Sequence, residues 1–279
     1  MKYIPWLLSR RYTIIYIPNR HGNPLRTLIF RPPSRNPQTN QSRTDLSPLH
    51  VSIHAGGFMG GIPEYNAAFA SLLSSRTGAV VVLSSYRFAP LHPFPAAIDD
   101  IDDVLSWLRS NAAQGLGADP SLLTISGFSA GANLALGATQ QQSNHRSDSN
   151  TTITTDIKAS VTFYAPVDLR LPPHEKPVPA GLPETNPIGA ILPLSDAYVA
   201  SGAVSRERNM ADARLHPILA ELRTLPGRML FVIPTLDILL HEQLVLVERL
   251  KREIEKEGKG RFVESLIVEG QWHGWVERG

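Results

Sequence analysis

The pentapeptide Gly-Phe-Ser-Ala-Gly at 127–131 constrains the fold of this 279-residue chain more than any other segment. A short apolar run at 122–126 precedes it, and residues of good helix propensity follow from Ala130. The two glycines remove the Cβ atoms that would crowd a sharp turn between a strand and a helix. Such a turn presents Ser129 as a candidate nucleophile, although alone the pentapeptide is weak evidence, because small-residue turns before helices are common.

From residue 50 onwards, short apolar strands alternate with helical stretches. Six strands are predicted at 50–53, 79–84, 122–126, 159–164, 229–233 and 262–268, and four helices at 65–76, 96–111, 130–142 and 241–257. Near-continuous apolar strands that alternate with helices favour a mostly parallel central sheet with helices on both faces. Two β-rich runs at 12–17 and 25–31, separated by a turn, predict an opening hairpin.

The segment 168–223 breaks this alternation, because it is rich in proline at first and then only mildly helical. An insertion of this length is typical of a lid or a binding loop, so we predict a cap over the C-terminal edge of the sheet. A surface excursion without a function is the alternative. We find no linker of domain size, and we predict one domain over 1–279 with a short N-terminal segment at 1–11.

Composition excludes several classes of function. The formal net charge is only +2 with both signs mixed along the chain, so we expect no nucleic-acid partner. The chain has no cysteine, which excludes thiolate catalysis and cysteine-ligated metals. No run approaches the ~18 apolar residues of a membrane span, and 1–11 is too interrupted for a signal peptide, so we expect a cytoplasmic protein. We expect no cofactor and no metal, although carboxylates at 99–103 form a cluster near a helix start.

Two further residues complete a candidate catalytic apparatus with Ser129. If the chain order is serine, acid, histidine, the base is expected just beyond the last strand, where His273 lies. The carboxylate that orients the base is expected after the preceding strand, where Asp237 lies. Each residue alone has an ordinary structural explanation, as a turn former, a helix cap or a packed side chain. Three suitable residue types in this order, each just past a predicted strand, favour a Ser-His-Asp triad.

A glycine-containing loop at 54–58 follows the strand predicted at 50–53. Consecutive glycines allow backbone N–H groups to point into a site without obstruction by side chains. One oxyanion donor is expected on this loop and another on the residue after the nucleophile, which makes Gly56, Gly57 and Ala130 the predicted oxyanion hole. The alternative is a turn whose glycines serve only its backbone conformation.

These motifs together resemble the hormone-sensitive-lipase-like group of α/β-hydrolase carboxylesterases. The resemblance rests on 54–57, 86–97, 119–120, 129–131, 133–134 and 273–274, and it covers 49–168 and 211–275. Four departures from the family pattern stand out. Ala55 replaces the first glycine of the loop, Phe128 replaces an aspartate beside the nucleophile, the middle of the acid motif at 237–242 is changed, and few residues precede the first strand. His241 and Glu242 in that motif are expected to cap the helix or to be solvated.

The resemblance implies the α/β-hydrolase fold and cofactor-free hydrolysis of a small-molecule ester through an acyl-enzyme. It also implies that a homodimer through the final strand is feasible. Phe58, Phe128, Trp272 and Trp275 flank the predicted catalytic residues, and we expect them to line an apolar pocket for short-to-medium acyl or aryl esters. An amidase, a formamidase, a pathway-specific hydrolase or a cyclase on the same fold is an alternative. A non-catalytic ligand receptor is another, which the three intact triad positions disfavour.

Overall fold

The structure is a computed structural model that describes residues 4–33, 46–144, 157–183, 196–200, 206–258 and 260–278. Within these ranges the chain forms an eight-stranded sheet with the strand order β1-β2-β4-β3-β5-β6-β7-β8. The strands are β1 (Tyr12–Pro18), β2 (Pro24–Phe30), β3 (Ser47–Ile53), β4 (Val80–Ser84), β5 (Ala118–Phe128), β6 (Ala159–Phe163), β7 (Arg228–Leu236) and β8 (Phe262–Trp272). β1 and β2 form the predicted hairpin and β2 is antiparallel to β4, whereas β3 to β8 pair in parallel. The predicted mostly parallel sheet is confirmed.

Helices cover the sheet on both faces. They are α1 (Ile4–Leu7), α2 (Ala67–Thr77), α3 (Ala96–Asn111), α4 (Ala130–Asn144), α5 (Asp196–Ala200), α6 (Leu240–Glu257) and α7 (Trp275–Arg278). The fully buried strand β4 shows why both faces need cover, because successive side chains point to opposite sides. Val81 and Leu83 pack with Ala67 and Ala70 of α2, whereas Val80 and Val82 belong to the cluster that contains α3 and α4.

The boundaries differ from the predictions at several ends. The helix predicted at 65–76 begins as a 3₁₀ turn, Pro63–Asn66, and becomes α-helical at Ala67. It ends where Gly78 adopts a left-handed conformation with φ of 74°, which a glycine reaches without strain. The last strand, predicted to end at 268, continues to Trp272, and Leu236 of β7 pairs with that residue.

The predicted cap at 168–223 contains α5 and four short 3₁₀ turns within the described residues, whereas 184–195 and 201–205 lie outside them. The 3₁₀ turns are Pro173–Glu175, Arg206–Asn209, Pro217–Leu219 and Leu222–Thr224. Tyr198 of α5 is fully buried, and its backbone carbonyl accepts a hydrogen bond of 2.9 Å from the Phe94 N–H. The described part of this segment is therefore packed onto the sheet domain, and its service as a cap stays a prediction. Among the described helices, none combines the length and apolarity that a membrane crossing requires.

Candidate active site

Ser129 lies in the sharp turn between β5 and α4, in the left-handed conformation with φ of 50°. The neighbouring glycines are required by close backbone contacts. A Cβ on Gly127 would lie 2.1 Å from the Gly131 carbonyl oxygen, and one on Gly131 would lie 2.3 Å from the Ile53 carbonyl oxygen. The Ser129 N–H donates to the Phe163 carbonyl at 3.0 Å, which fixes the turn against β6. The sequence therefore builds a strained turn that projects one hydroxyl at the carboxyl end of the sheet.

The structure brings Ser129, His273 and Asp237 into one hydrogen-bonded chain. The Ser129 hydroxyl lies 2.7 Å from Nε2 of His273, and Nδ1 of His273 lies 2.8 Å from Oδ2 of Asp237. Because the Asp237 carboxylate is fully buried and accepts the Nδ1–H, Nε2 is free to accept the serine proton. The Leu239 N–H donates to Oδ1 of Asp237 at 3.0 Å and fixes the carboxylate. This arrangement suits abstraction of a proton from Ser129.

The loop after β3 begins against the turn that carries Ser129, because a Cβ on Gly131 would lie 2.5 Å from the His54 carbonyl oxygen. Gly56 and Gly57 have positive φ values of 143° and 60°, and a Cβ on Gly56 would lie 1.9 Å from the Gly60 carbonyl oxygen. Among the hydrogen bonds of the described residues, none uses the N–H of Gly56, Gly57 or Ala130 as its donor. Free N–H groups at a loop and at a helix start are what an oxyanion hole requires. Their role as an oxyanion hole stays a prediction.

His54 holds the conformation of this loop. Its ring stacks on Tyr86 with 4.5 Å between the ring centroids, and its Nδ1–H donates to the Ala55 carbonyl at 2.6 Å. The Tyr86 hydroxyl donates to the His54 carbonyl at 3.2 Å. Burial lowers the pKa of His54 to about 4, so the ring is neutral at physiological pH. The loop is therefore fixed by a neutral buried imidazole rather than by a charge.

Comparison with known proteins agrees with this geometry. Residues 50–277 match the family described as alpha/beta hydrolase fold. The chain belongs to this family. An alignment of 276 residues with Lipase 2 of Moraxella sp. (strain TA144) has 29% identity. This alignment covers 93% of this chain and 61% of that protein. The chain is 42% identical over 93 residues to Carboxylesterase NlhH of Mycobacterium tuberculosis, which is 33% of this chain and 28% of that protein.

A solved esterase from Pyrobaculum calidifontis has a similar structure, with a TM-score of 0.71 and 28% sequence identity. The alignment covers 96% of this chain and 78% of the esterase. The resemblance to the hormone-sensitive-lipase-like α/β-hydrolases is thereby confirmed. The chain spans less than two thirds of the length of the two relatives above.

The aromatic residues predicted to line the substrate pocket of this α/β-hydrolase lie in different surroundings. Phe58 and Phe128 are buried, the first stacked on Tyr198 and the second stacked on Phe163 at 4.4 Å between centroids. Trp272 and Trp275 are half-buried, at the end of β8 and in α7. Contact of these four side chains with substrate stays a prediction.

Sequence reasoning missed Tyr164, whose ring lies 4.8 Å from the His273 ring. Tyr164 follows β6 directly and has a positive φ of 41°. Its ring also meets Trp275 edge-on at 5.3 Å. A tyrosine at the carboxyl end of a central parallel strand was the available signal, because such strand ends meet at the site.

The acidic cluster at 99–103, where we expected no metal, is paired with basic side chains. Arg214 pairs with Asp99 and Asp102, and Arg20 pairs with Asp103. Within the described residues, no group of three or more histidine, aspartate or glutamate side chains has the geometry of a metal site. These carboxylates therefore tie α3 to the β1–β2 turn and to the segment around Arg214.

The expectation that Glu242 caps its helix or is solvated was wrong. Its side chain is buried and accepts hydrogen bonds from the N–H groups of Val167 and Asp168 at 2.8 Å and 3.1 Å. It also pairs with Lys176, which lies 66 residues away in the chain. The partner comes from tertiary structure, so neighbouring residues in the sequence gave no sign of it.

Proposed function

We propose that this chain is a serine carboxylesterase that hydrolyses small-molecule esters through an acyl-enzyme. The observation that carries the proposal is the continuous hydrogen-bonded chain from Ser129 through His273 to the buried Asp237. The names of relatives support the class of reaction, because they include a lipase and a carboxylesterase. Nothing in the proposed reaction needs a cofactor.

The proposed reaction begins when the Ser129 oxygen attacks the ester carbonyl and His273 takes the hydroxyl proton. The carbonyl oxygen becomes an oxyanion, which the N–H groups of Gly56, Gly57 and Ala130 stabilise. His273 then gives its proton to the leaving alcohol, and the acyl group stays on Ser129. Water attacks the acyl-enzyme with His273 again as the base, and this second step releases the acid. Asp237 keeps the imidazole in the required tautomer throughout.

The substrate proposed is a neutral ester with a short-to-medium acyl chain or an aryl group. Aromatic side chains near Ser129 and His273 support it, above all Tyr164, whose ring lies 4.8 Å from the His273 ring, and Trp275, whose ring meets that of Tyr164. Aromatic and apolar surroundings favour an uncharged ligand over a charged one, because burying an unpaired charge costs free energy.

Active-serine labelling and ester turnover test the proposal together. We expect a fluorophosphonate probe to label the wild-type protein at Ser129 and p-nitrophenyl acetate or butyrate to be hydrolysed. Ser129→Ala is expected to abolish both and to leave the circular dichroism spectrum unchanged. Labelling without hydrolysis of any ester in the series would replace this proposal with a specialised hydrolase, an amidase or a cyclase. Absence of labelling in folded protein would support a ligand receptor instead.

The homodimer also stays a proposal. β8 is one of the two edge strands of the sheet, and Phe262 and Leu266 on it are each 54% exposed. Exposed apolar side chains on an edge strand are suited to contact with a second chain. Light scattering of the purified protein would distinguish a dimer from a monomer.

A further inference from the structure

The loop at 165–168, which follows β6 and Tyr164, directs its backbone N–H groups towards the start of α6. The Ala165 N–H donates to Oε1 of Gln243 at 2.9 Å. The Val167 and Asp168 N–H groups donate to Oε1 of Glu242 at 2.8 Å and 3.1 Å. Residue 166 is a proline and has no N–H. Two adjacent side chains therefore bind every backbone donor of the loop.

A buried cation completes the contact. Nζ of Lys176 pairs with Oε2 of Glu242 and donates to the Asp168 carbonyl at 2.5 Å. The side chains of Lys176 and Glu242 are only 4% and 10% exposed. A buried carboxylate with two N–H donors and a cation is satisfied, whereas removal of one partner leaves an uncompensated charge. The loop is thus held from both its N–H and its carbonyl side.

The loop that Glu242 and Gln243 hold is continuous with residues that touch the nucleophile and the base. The Phe163 carbonyl accepts the Ser129 N–H at 3.0 Å, and the Tyr164 ring lies 4.8 Å from the His273 ring. A shift of this backbone would therefore move the contacts of Ser129 and His273 together.

Glu242 and Gln243 lie in the first turn of α6, directly after the loop that contains Asp237. Nε2 of Gln243 donates to the Leu239 carbonyl at 3.0 Å, and the Leu239 N–H donates to Asp237 at 3.0 Å. Gln243 thus reaches the Asp237 loop with one end of its amide and Ala165 with the other. The first turn of α6 joins the acid side of the site to the nucleophile and base side.

We propose that Glu242 and Gln243 are positioning residues that set the alignment of Asp237 and His273 with Ser129. The inference rests on the proposed function, since it assigns these residues to the same triad. Neither side chain touches the reacting atoms, so their loss acts through geometry. A misplacement of about 1 Å in a catalytic group costs on the order of 10²-fold in rate, so we expect a fall in kcat with little change in KM.

Four variants test the inference in steady-state assays with p-nitrophenyl acetate. Glu242→Ala removes the acceptor of the Val167 and Asp168 N–H groups, and Gln243→Leu removes the acceptor of the Ala165 N–H. For each variant we expect kcat to fall at least about tenfold and KM to stay within about threefold of wild type. Glu242→Gln keeps an oxygen for the two N–H groups but leaves the buried Lys176 cation without its counter-charge, so we expect a kcat between those of Glu242→Ala and wild type. His241→Ala is the matched control, because His241 lies on the exposed side of the same helical turn.

Each result is read only for protein that keeps the wild-type circular dichroism spectrum. Wild-type kcat in folded Glu242→Ala or Gln243→Leu would overturn the inference, and so would a loss confined to KM. If Glu242→Ala does not fold, Gln243→Leu decides by the same criteria, since it leaves the Lys176–Glu242 pair intact. Failure of the proposed function looks different, because the wild-type protein itself would then lack ester turnover and serine labelling.

Discussion

Acidification tests how His50 contributes to the stability of β5, the strand that precedes Ser129. The His50 ring bridges β3 and β5, with Nδ1 2.8 Å from Oγ1 of Thr124 and Nε2 2.8 Å from Oγ of Ser126. Burial lowers its pKa to about 4, because the charged imidazole would lose its hydration. We therefore predict that lowering the pH weakens the folded state through His50, and that His50→Gln removes this part of the pH dependence.

The magnitude follows from the difference between the folded and unfolded states. An unfolded histidine has a pKa of about 6.5, so below that pH the unfolded chain binds a proton that folded His50 refuses. Between pH 6.5 and 4 this lowers the free energy of unfolding by ~1.4 kcal/mol per pH unit. The contribution of His50 is fully present above pH 6.5, has fallen by about 2 kcal/mol at pH 5, and has fallen by about 3 kcal/mol at pH 4.

Other buried groups titrate in the same pH range, so the pH dependence of the free energy of unfolding of the wild-type protein does not isolate the contribution of His50. Burial lowers the pKa of His54 and of His216 to about 4, which adds to the loss on acidification. Burial raises the pKa of Asp102 and of Glu242 to about 7, against the opposing effects of Arg214 and Lys176. As the pH falls, those two carboxyl groups bind protons in the folded state before they do so in the unfolded chain. Their protonation therefore opposes the loss of stability that the histidines cause. The informative quantity is the difference in the free energy of unfolding between wild type and His50→Gln.

Urea unfolding followed by tryptophan fluorescence at pH 7 and pH 5, at constant ionic strength, measures this difference. His50→Gln is expected to be less stable at pH 7, because the bridge between β3 and β5 is altered. From pH 7 to pH 5 the gap between the two proteins should shrink by about 2 kcal/mol. A gap that stays constant would refute the reasoning. The control is His92→Gln, which replaces an exposed imidazole by the same amide. A gap that shrinks equally in both variants would also refute the reasoning.

Three further substitutions test the site and its supports. Asp237→Asn is expected to lower kcat about 10³- to 10⁴-fold in p-nitrophenyl acetate assays, because the amide favours the wrong tautomer of the histidine, while urea unfolding stays close to wild type. Gly131→Ala places a Cβ 2.3 Å from the Ile53 carbonyl oxygen, so we expect the free energy of unfolding to fall by about 1–3 kcal/mol, and an unchanged urea midpoint would contradict this. Phe128→Ala removes a ring stacked on Phe163 and is expected to cost about 3–5 kcal/mol, measured by the same unfolding assay.

The meeting of Ser129, Asp237 and His273 could be predicted from the sequence because parallel strands end at one edge of a sheet. Ser129, Asp237 and His273 each follow the carboxyl end of a strand, and β5 is only two strands away from β7 in the sheet. Residue type and strand order alone therefore placed them together. The exact strand ends were less predictable, since β8 runs four residues beyond its last strongly apolar stretch to Trp272.

The supports of the site could not be predicted, because their partners are distant in the chain and come from irregular segments. Glu242 is joined to Lys176 and to the loop after β6, and no periodic pattern in 168–183 reveals where that segment runs. A charged residue at the start of a helix is ordinarily explained by capping and the helix dipole. Only the tertiary contact distinguishes the buried Glu242 from the exposed His241 beside it.

Phe128, which replaces the aspartate found at this position in the resembling family, shows how a departure beside Ser129 is accommodated. The ring lies parallel to Phe163 and meets Phe69 edge-on at 5.4 Å, and it shares a buried cluster with Ala55 and Tyr164. Ala55 is itself a departure from the family's loop, so two altered positions meet in one apolar cluster. A carboxylate at 128 would be buried among rings without a described cation beside it, which costs free energy. The turn at Ser129 is therefore fixed on this side by aromatic packing, and both departures contribute to the same apolar cluster.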